Sequence, residues 1–163
     1  MLAVKLLLEG LGLGFLLYLI CALGIRNGAV GMIQLYGKEV RDRATELGLV
    51  TEETIKKRTL LFRSLCIPAY IAYVLVCVYA INGARGFLAG FWQAFAILSV
   101  MNIIDRLLID EYWVGRTKAW IIPGTEDLMP YITPKDVQRK WLIGTVGMAA
   151  VSAALSGIMC LIL

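Results

Sequence analysis

Histidine is absent from the 163 residues, so the chain holds no His-ligated metal, no Ser-His or Cys-His nucleophilic pair and no His proton relay of its own. Cysteine is sparse. Cys21, Cys66, Cys77 and Cys160 lie far apart in apolar stretches without C-x-x-C spacing, and read as buried free thiols rather than a disulfide framework or a metal site. Proline interrupts only one expected helix, at Pro68. Charge is scarce too, at 17% of residues against about 25% in soluble domains, while 60% are apolar against about 45–50%. A soluble fold of this size buries only about 70% of its unfolded surface and would leave wide apolar patches in water, a conflict that a bilayer removes. The mean hydropathy of +0.77 agrees. These features predict an all-α integral membrane protein with a single membrane domain over residues 1–163.

Uncharged runs locate the crossings. Gly86 to Ile104 and Trp141 to Leu163 carry no charge, and at about 1.5 Å rise per residue each crosses a hydrocarbon core of about 30 Å. Cys66 to Ile81 becomes a full crossing when Leu60 to Ser64 is included and Arg63 snorkels to the headgroups. Leu2 to Gly24 supplies the first helix, with Lys5 and Glu9 spaced i,i+4 to pair near one face. It reads as a retained helix, because Ile20 precedes Cys21 where a lipoprotein site needs a small residue, and no A-x-A site precedes Arg26. The expected spans are therefore about 2–24, 60–81, 86–104 and 141–163, joined by long connections 25–59 and 105–140.

The 16 lysines and arginines orient the bundle. All but Lys5 and Arg85 fall in the two long connections or at their edges, which predicts cytoplasmic connections and both termini outside. The net charge of +4 is thus a topology signal, and no nucleic-acid partner is needed to explain it. In the first connection, Lys38 to Leu47 reads as an amphipathic helix stopped by Gly48. A second helix starts at the Thr51 N-cap, carries Glu52 and Glu53 in its first turn and runs into the second span, which Pro68 kinks. This cytoplasmic amphipathic hairpin is expected at the membrane surface, as a connector or in contact with anionic lipid. Thr133, Pro134 and Asp136 form a capping arrangement for a last helix running to Leu163. Its small residues Thr145, Ala149, Ala153 and Gly157 predict that it is the most enclosed helix, with one strip available to a second copy or a partner membrane protein.

Polar chemistry concentrates between Asn102 and Asp127. On a continued helix of about 100° per residue, Asn102, Asp105, Arg106, Tyr112 and Arg116 share a broad face with Asp110 at its edge, and Arg106 pairs with Asp110 at i,i+4. Asp105 falls at the inner boundary of the hydrocarbon, where structural pairing with arginine and a ligand site are both open. Trp120 and the two isoleucines after it are too short to cross and suggest an ordered re-entry, after which the Pro123-Gly124 turn brings Glu126 and Asp127 back under the third helix. The binding candidates are Asn102, Asp105, Arg106, Asp110, Tyr112, Arg116, Trp120, Glu126 and Asp127. With Lys118 they suit a lipid headgroup; a divalent metal with all-oxygen ligands is the one cofactor in view.

The run Asn102-x-x-Asp105-Arg106-x-x-x-Asp110, followed by Ile122-Pro123-Gly124-Thr125-Glu126 and a last helix, resembles small bacterial four-helix membrane proteins with an Asp-x4-Asp pair and an IPGTE-type turn. Over roughly the last third of the chain, that likeness implies a bacterial inner-membrane protein and carries no activity. The N-x-x-D-R pattern of Asn102 to Arg106 is also similar to prolipoprotein signal peptidases, in which this aspartate is one of two catalytic carboxylates. This chain departs from them in having Lys140-Trp141-Leu142 where F-N-x-A-D is required, Asp127 as the nearest second carboxylate, and Asp105 on the cytoplasmic side. The leading expectation is an accessory module that binds lipid or a partner through the cytoplasm-facing site. The alternative is an enzyme acting on a lipid or lipid-linked substrate, with Asp105 and Asp110 or Glu126 as ligands or general bases. A transporter ranks third, since no charge lies at the centre of a span.

Overall fold

A computed structural model describes residues 1–162, which are helical throughout their regular structure and contain no strand. The elements in chain order are α1 (Leu2–Ile25), α2 (Lys38–Glu46), α3 (Glu52–Leu75), α4 (Phe87–Ile104) and α5 (Pro134–Ile162). α3 continues as a π-helical turn, Val76–Ile81, and α4 as a π-helical segment, Asp105–Val114. With these continuations, α1, α3, α4 and α5 are each long and apolar enough to cross a membrane. The expected final residue of α5, Leu163, lies outside the described residues.

Local signals set the helix ends. The Thr54 N–H donates to Thr51 Oγ1 at 3.3 Å, and Glu52 and Glu53 occupy the first turn of α3. At α5 the Asp136 N–H donates to Thr133 Oγ1 at 3.3 Å and the Thr133 N–H to Asp136 Oδ2 at 3.0 Å, a reciprocal capping box with Pro134 at the first helical position. α2 ends at Gly48, whose φ of +70° lets the Leu49 N–H turn back onto the Ala44 carbonyl at 3.0 Å.

α4 is the central helix, flanked by α1 and α5. A Cβ on Gly10 would lie 2.5 Å from Val100 Cβ, and one on Gly14 would lie 3.2 Å from Ile104 Cβ, so α1 and α4 run parallel in close contact. α5 runs antiparallel to α4. A Cβ on Gly144 would meet Asn102 Oδ1 at 2.8 Å, and one on Gly90 would meet Ser156 Oγ at 3.0 Å. Between these points Ser152 is fully buried and Met148 packs on the cluster that holds Ala94 and Leu98. Close approach of backbones in lipid requires such small side chains.

Three expectations are corrected here. α5 is the least enclosed long helix, not the most: 11% of its apolar window is buried against 39% for α4. It leans chiefly on α4, whereas α4 has a neighbour on either side. The strip facing α4 is Gly144, Met148, Ser152 and Ser156, one position before the expected one, and Gly157 faces open space. Lys5 and Glu9 do not pair with each other. Lys5 Nζ donates to the Ile81 carbonyl at 3.1 Å, and Glu9 Oε2 accepts from Asn82 Nδ2 at 2.9 Å, so both residues pin α1 to the turn between α3 and α4.

The amphipathic hairpin serves as a connector. Its apolar residues Val40, Ala44, Val50 and Ile55 are buried in one cluster with Tyr36, Trp120 and Ile122 from both long connections. The two connections thus close into a helical cap beneath α1 and α4, and the hairpin's apolar face is spent on protein contacts. Removing one such side chain from water contributes about 1.5–3 kcal/mol, which explains why the polar connections fold together.

Candidate functional site

The first candidate is the junction of α4 with its π-helical continuation. In an α-helix, Asp105 and Asp110 would project about 140° apart. In the π-helical segment the Gly115 N–H bonds to the Asp110 carbonyl, five residues back, and this wider turn brings side chains at i and i+5 onto one side. Both aspartates then reach the same guanidinium. Arg106 Nη2 donates to Asp105 Oδ2, Arg106 Nη1 donates to Asp110 Oδ2, and Lys140 Nζ from the start of α5 donates to Asp110 Oδ2 at 3.0 Å. Two carboxylates and two cations make this cluster neutral. It acts as a clamp between α4 and α5, with Asn102 buried one turn away against Gly144.

The remaining candidates are dispersed. Tyr112 is exposed on the outside of the continuation, and Arg116 pairs in water with Glu111 at 3.1 Å. Trp120 is buried in the cap instead of re-entering lipid, because it packs against Trp113 and Tyr36 there. Tyr36 Oη donates to the Trp120 carbonyl at 2.6 Å, and burial pushes the Tyr36 phenol above its usual range. Glu126 accepts from the Gly124 N–H of its own turn at 2.8 Å, and Asp127 faces Arg43 of α2 at 3.5 Å. Neither carboxylate makes a hydrogen bond or ion pair with the Asp105, Arg106 and Asp110 cluster, and each has another partner. No metal-holding group of three or more Asp, Glu or Cys side chains forms among the described residues. Asp105 and Asp110 each give Oδ2 to Arg106 or Lys140, and Asp127 faces Arg43.

A second site is a groove of about 580 Å³ between the end of α1, the 3₁₀ segment Ala29–Leu35 and α3. Asn27, Gln34 and Arg58 line its polar end; Leu61, Leu65 and Cys66 line its apolar end. Arg58, Leu61 and Leu65 recur at i, i+3 and i+7 on one face of α3, so the groove passes from cation to hydrocarbon along the helix. The Val30 carbonyl accepts from Arg58 Nη1 at 2.7 Å and holds the guanidinium across the mouth. Leu61 and Leu65 are 56% and 61% exposed, leaving the apolar end without a protein partner. The sequence reading missed this site, treating Arg58 only as a topology charge, although the change from basic to apolar along one face of α3 was a usable signal.

No protein-family model, curated protein or solved structure matches the chain. The bacterial likeness and the N-x-x-D-R similarity therefore rest on their own few residues. In the latter, Asp105 is engaged by Arg106 and Asp127 by Arg43, so the two aspartates share no partner.

Proposed function

We propose that this chain is a non-catalytic, multi-pass accessory protein of a bacterial inner membrane, with both termini outside, that holds a phospholipid of the cytoplasmic leaflet in the groove beside α3. The observation that carries the reading is the groove's polarity. Arg58 lies at the end of the expected second span that the distribution of lysines and arginines assigns to the cytoplasm, and Leu61 and Leu65 follow it along α3 into that span. A lipid presents the same order of phosphate, glycerol and acyl chain. The volume lies within the range of about 300–1,000 Å³ typical of small-ligand sites. Carboxylate chemistry at Asp105 and Asp110 fits less well, because Arg106 and Lys140 neutralise the pair and ion-paired carboxylates are weaker general bases.

Native mass spectrometry of the protein in mild detergent tests the reading. Phospholipid is expected to remain on the wild-type protein and to be lost when Leu61→Trp and Leu65→Trp together fill the apolar end. Equal retention by the folded double variant would place the bound lipid elsewhere and overturn this function.

A further inference from the structure

An asparagine followed by glycine is prone to spontaneous deamidation, because a residue without a side chain lets its backbone nitrogen reach the preceding amide carbon. Two of the three asparagines stand in such pairs, Asn27-Gly28 and Asn82-Gly83. The fold treats them oppositely. Asn82 Nδ2 donates to the Glu9 carboxylate at 2.9 Å and its Oδ1 is buried, so that amide is restrained. Asn27 is exposed, and its side chain forms no hydrogen bond among the described residues. It stands in the turn from α1 into the 3₁₀ segment, at the polar end of the groove. A Cβ on Gly28 would meet nothing within 4 Å, so a ring formed at this turn has room. The Gly28 N–H does donate to the Ile25 carbonyl at 2.8 Å. That neutral bond at the surface is the weaker restraint of the two, because a hydrogen bond to a carboxylate holds more strongly.

We infer that Asn27 is a site of spontaneous deamidation and that its conversion weakens the hold of the groove on lipid. The second half rests on the lipid reading above; the first does not. The Gly28 backbone nitrogen attacks Asn27 Cγ. The new N–C bond closes a five-membered succinimide, the Cγ–Nδ2 bond breaks, and Nδ2 leaves as ammonia with the proton lost from the Gly28 nitrogen. Water at the membrane face then adds to one ring carbonyl and opens the ring to aspartate or isoaspartate. Either product puts a carboxylate in place of a neutral amide at the end of the groove that Arg58 lines. The new charge competes for the guanidinium and repels the lipid phosphate directly.

Full-length protein is held in warm, mildly alkaline detergent, and peptide mass spectrometry follows the conversion of amide to acid at both asparagines. Asn27 is expected to convert at least about tenfold faster than Asn82, and Glu9→Leu to raise the rate at Asn82. Native mass spectrometry of the same samples with dioleoyl phosphatidylglycerol should show retention falling in step with conversion at position 27. Asn27→Asp should retain about fivefold less of that lipid from the start. Asn27→Gln, whose longer side chain closes a ring far more slowly, should stay unconverted and keep its lipid. Conversion at Asn27 no faster than at Asn82 overturns the modification site, and an unchanged rate at Asn82 in folded Glu9→Leu overturns the reason given for the contrast. Both outcomes leave lipid binding standing. Equal retention by folded Asn27→Asp overturns the effect on the groove alone. Retention of no lipid by fresh wild-type protein would remove the lipid reading itself, while conversion at Asn27 is still read from the peptides.

Discussion

Arg106 is the residue on which the polar region of α4 turns. A guanidinium has a rigid fork, and here each arm is taken by a different aspartate of the same helix. Asp110 has the greater share of partners, since it also receives Lys140 from α5, and its side chain is the less exposed, at 14% against 22% for Asp105. Asp110→Asn is therefore expected to destabilise the protein by about 1–3 kcal/mol, and Asp105→Asn by less. Thermal unfolding in detergent, followed by tryptophan fluorescence, gives the order directly. Lipid retention should be unchanged in both variants, because neither residue lines the groove beside α3. A larger loss in Asp105→Asn would mean that the clamp between α4 and α5 is not what this cluster provides.

Elements divide into those that a local signal determines and those set by packing at a distance. Thr51, Gly48 and the pair Thr133 and Asp136 end their helices through bonds within four or five residues, so the sequence alone located them. The π-helical winding after Asp105 has no such signal. An assumed 100° per residue already paired Arg106 with Asp110 at i,i+4, but it left Asp110 at the edge of the face that holds Asp105, whereas with the wider turn both aspartates reach the one guanidinium. The strip on α5 was misread for a related reason: small residues cover much of that helix, and periodicity could not choose between adjacent lines. The packing itself gives a sharp contrast. Gly10→Val forces a side chain into Val100 at the contact of α1 with α4, and should lower stability by about 1–3 kcal/mol. Gly157→Ala meets open space and should leave stability unchanged or raise it by up to about 1 kcal/mol. Melting temperatures of the two variants test the assignment, and equal losses would contradict the register of α4.

For the whole molecule, hydropathy and charge made the four apolar helices legible before any packing was known. The cap was not legible, because Tyr36 and Trp120 are 84 residues apart in the chain and meet only when the two connections fold against each other. The groove was hidden for the same reason, since Gln34 and Arg58 belong to different elements. Its assignment to the cytoplasmic leaflet depends on how the chain is oriented, and orientation rests on the distribution of 16 lysines and arginines. Thr51 before α3 and Arg85 before α4 are both exposed and stand at opposite ends of the second crossing. With the four native cysteines replaced, Thr51→Cys and Arg85→Cys are labelled in turn with a membrane-impermeant maleimide on intact cells. Labelling at position 85, with none at position 51 until the cells are opened, is the expected result; labelling at position 51 from outside would contradict it.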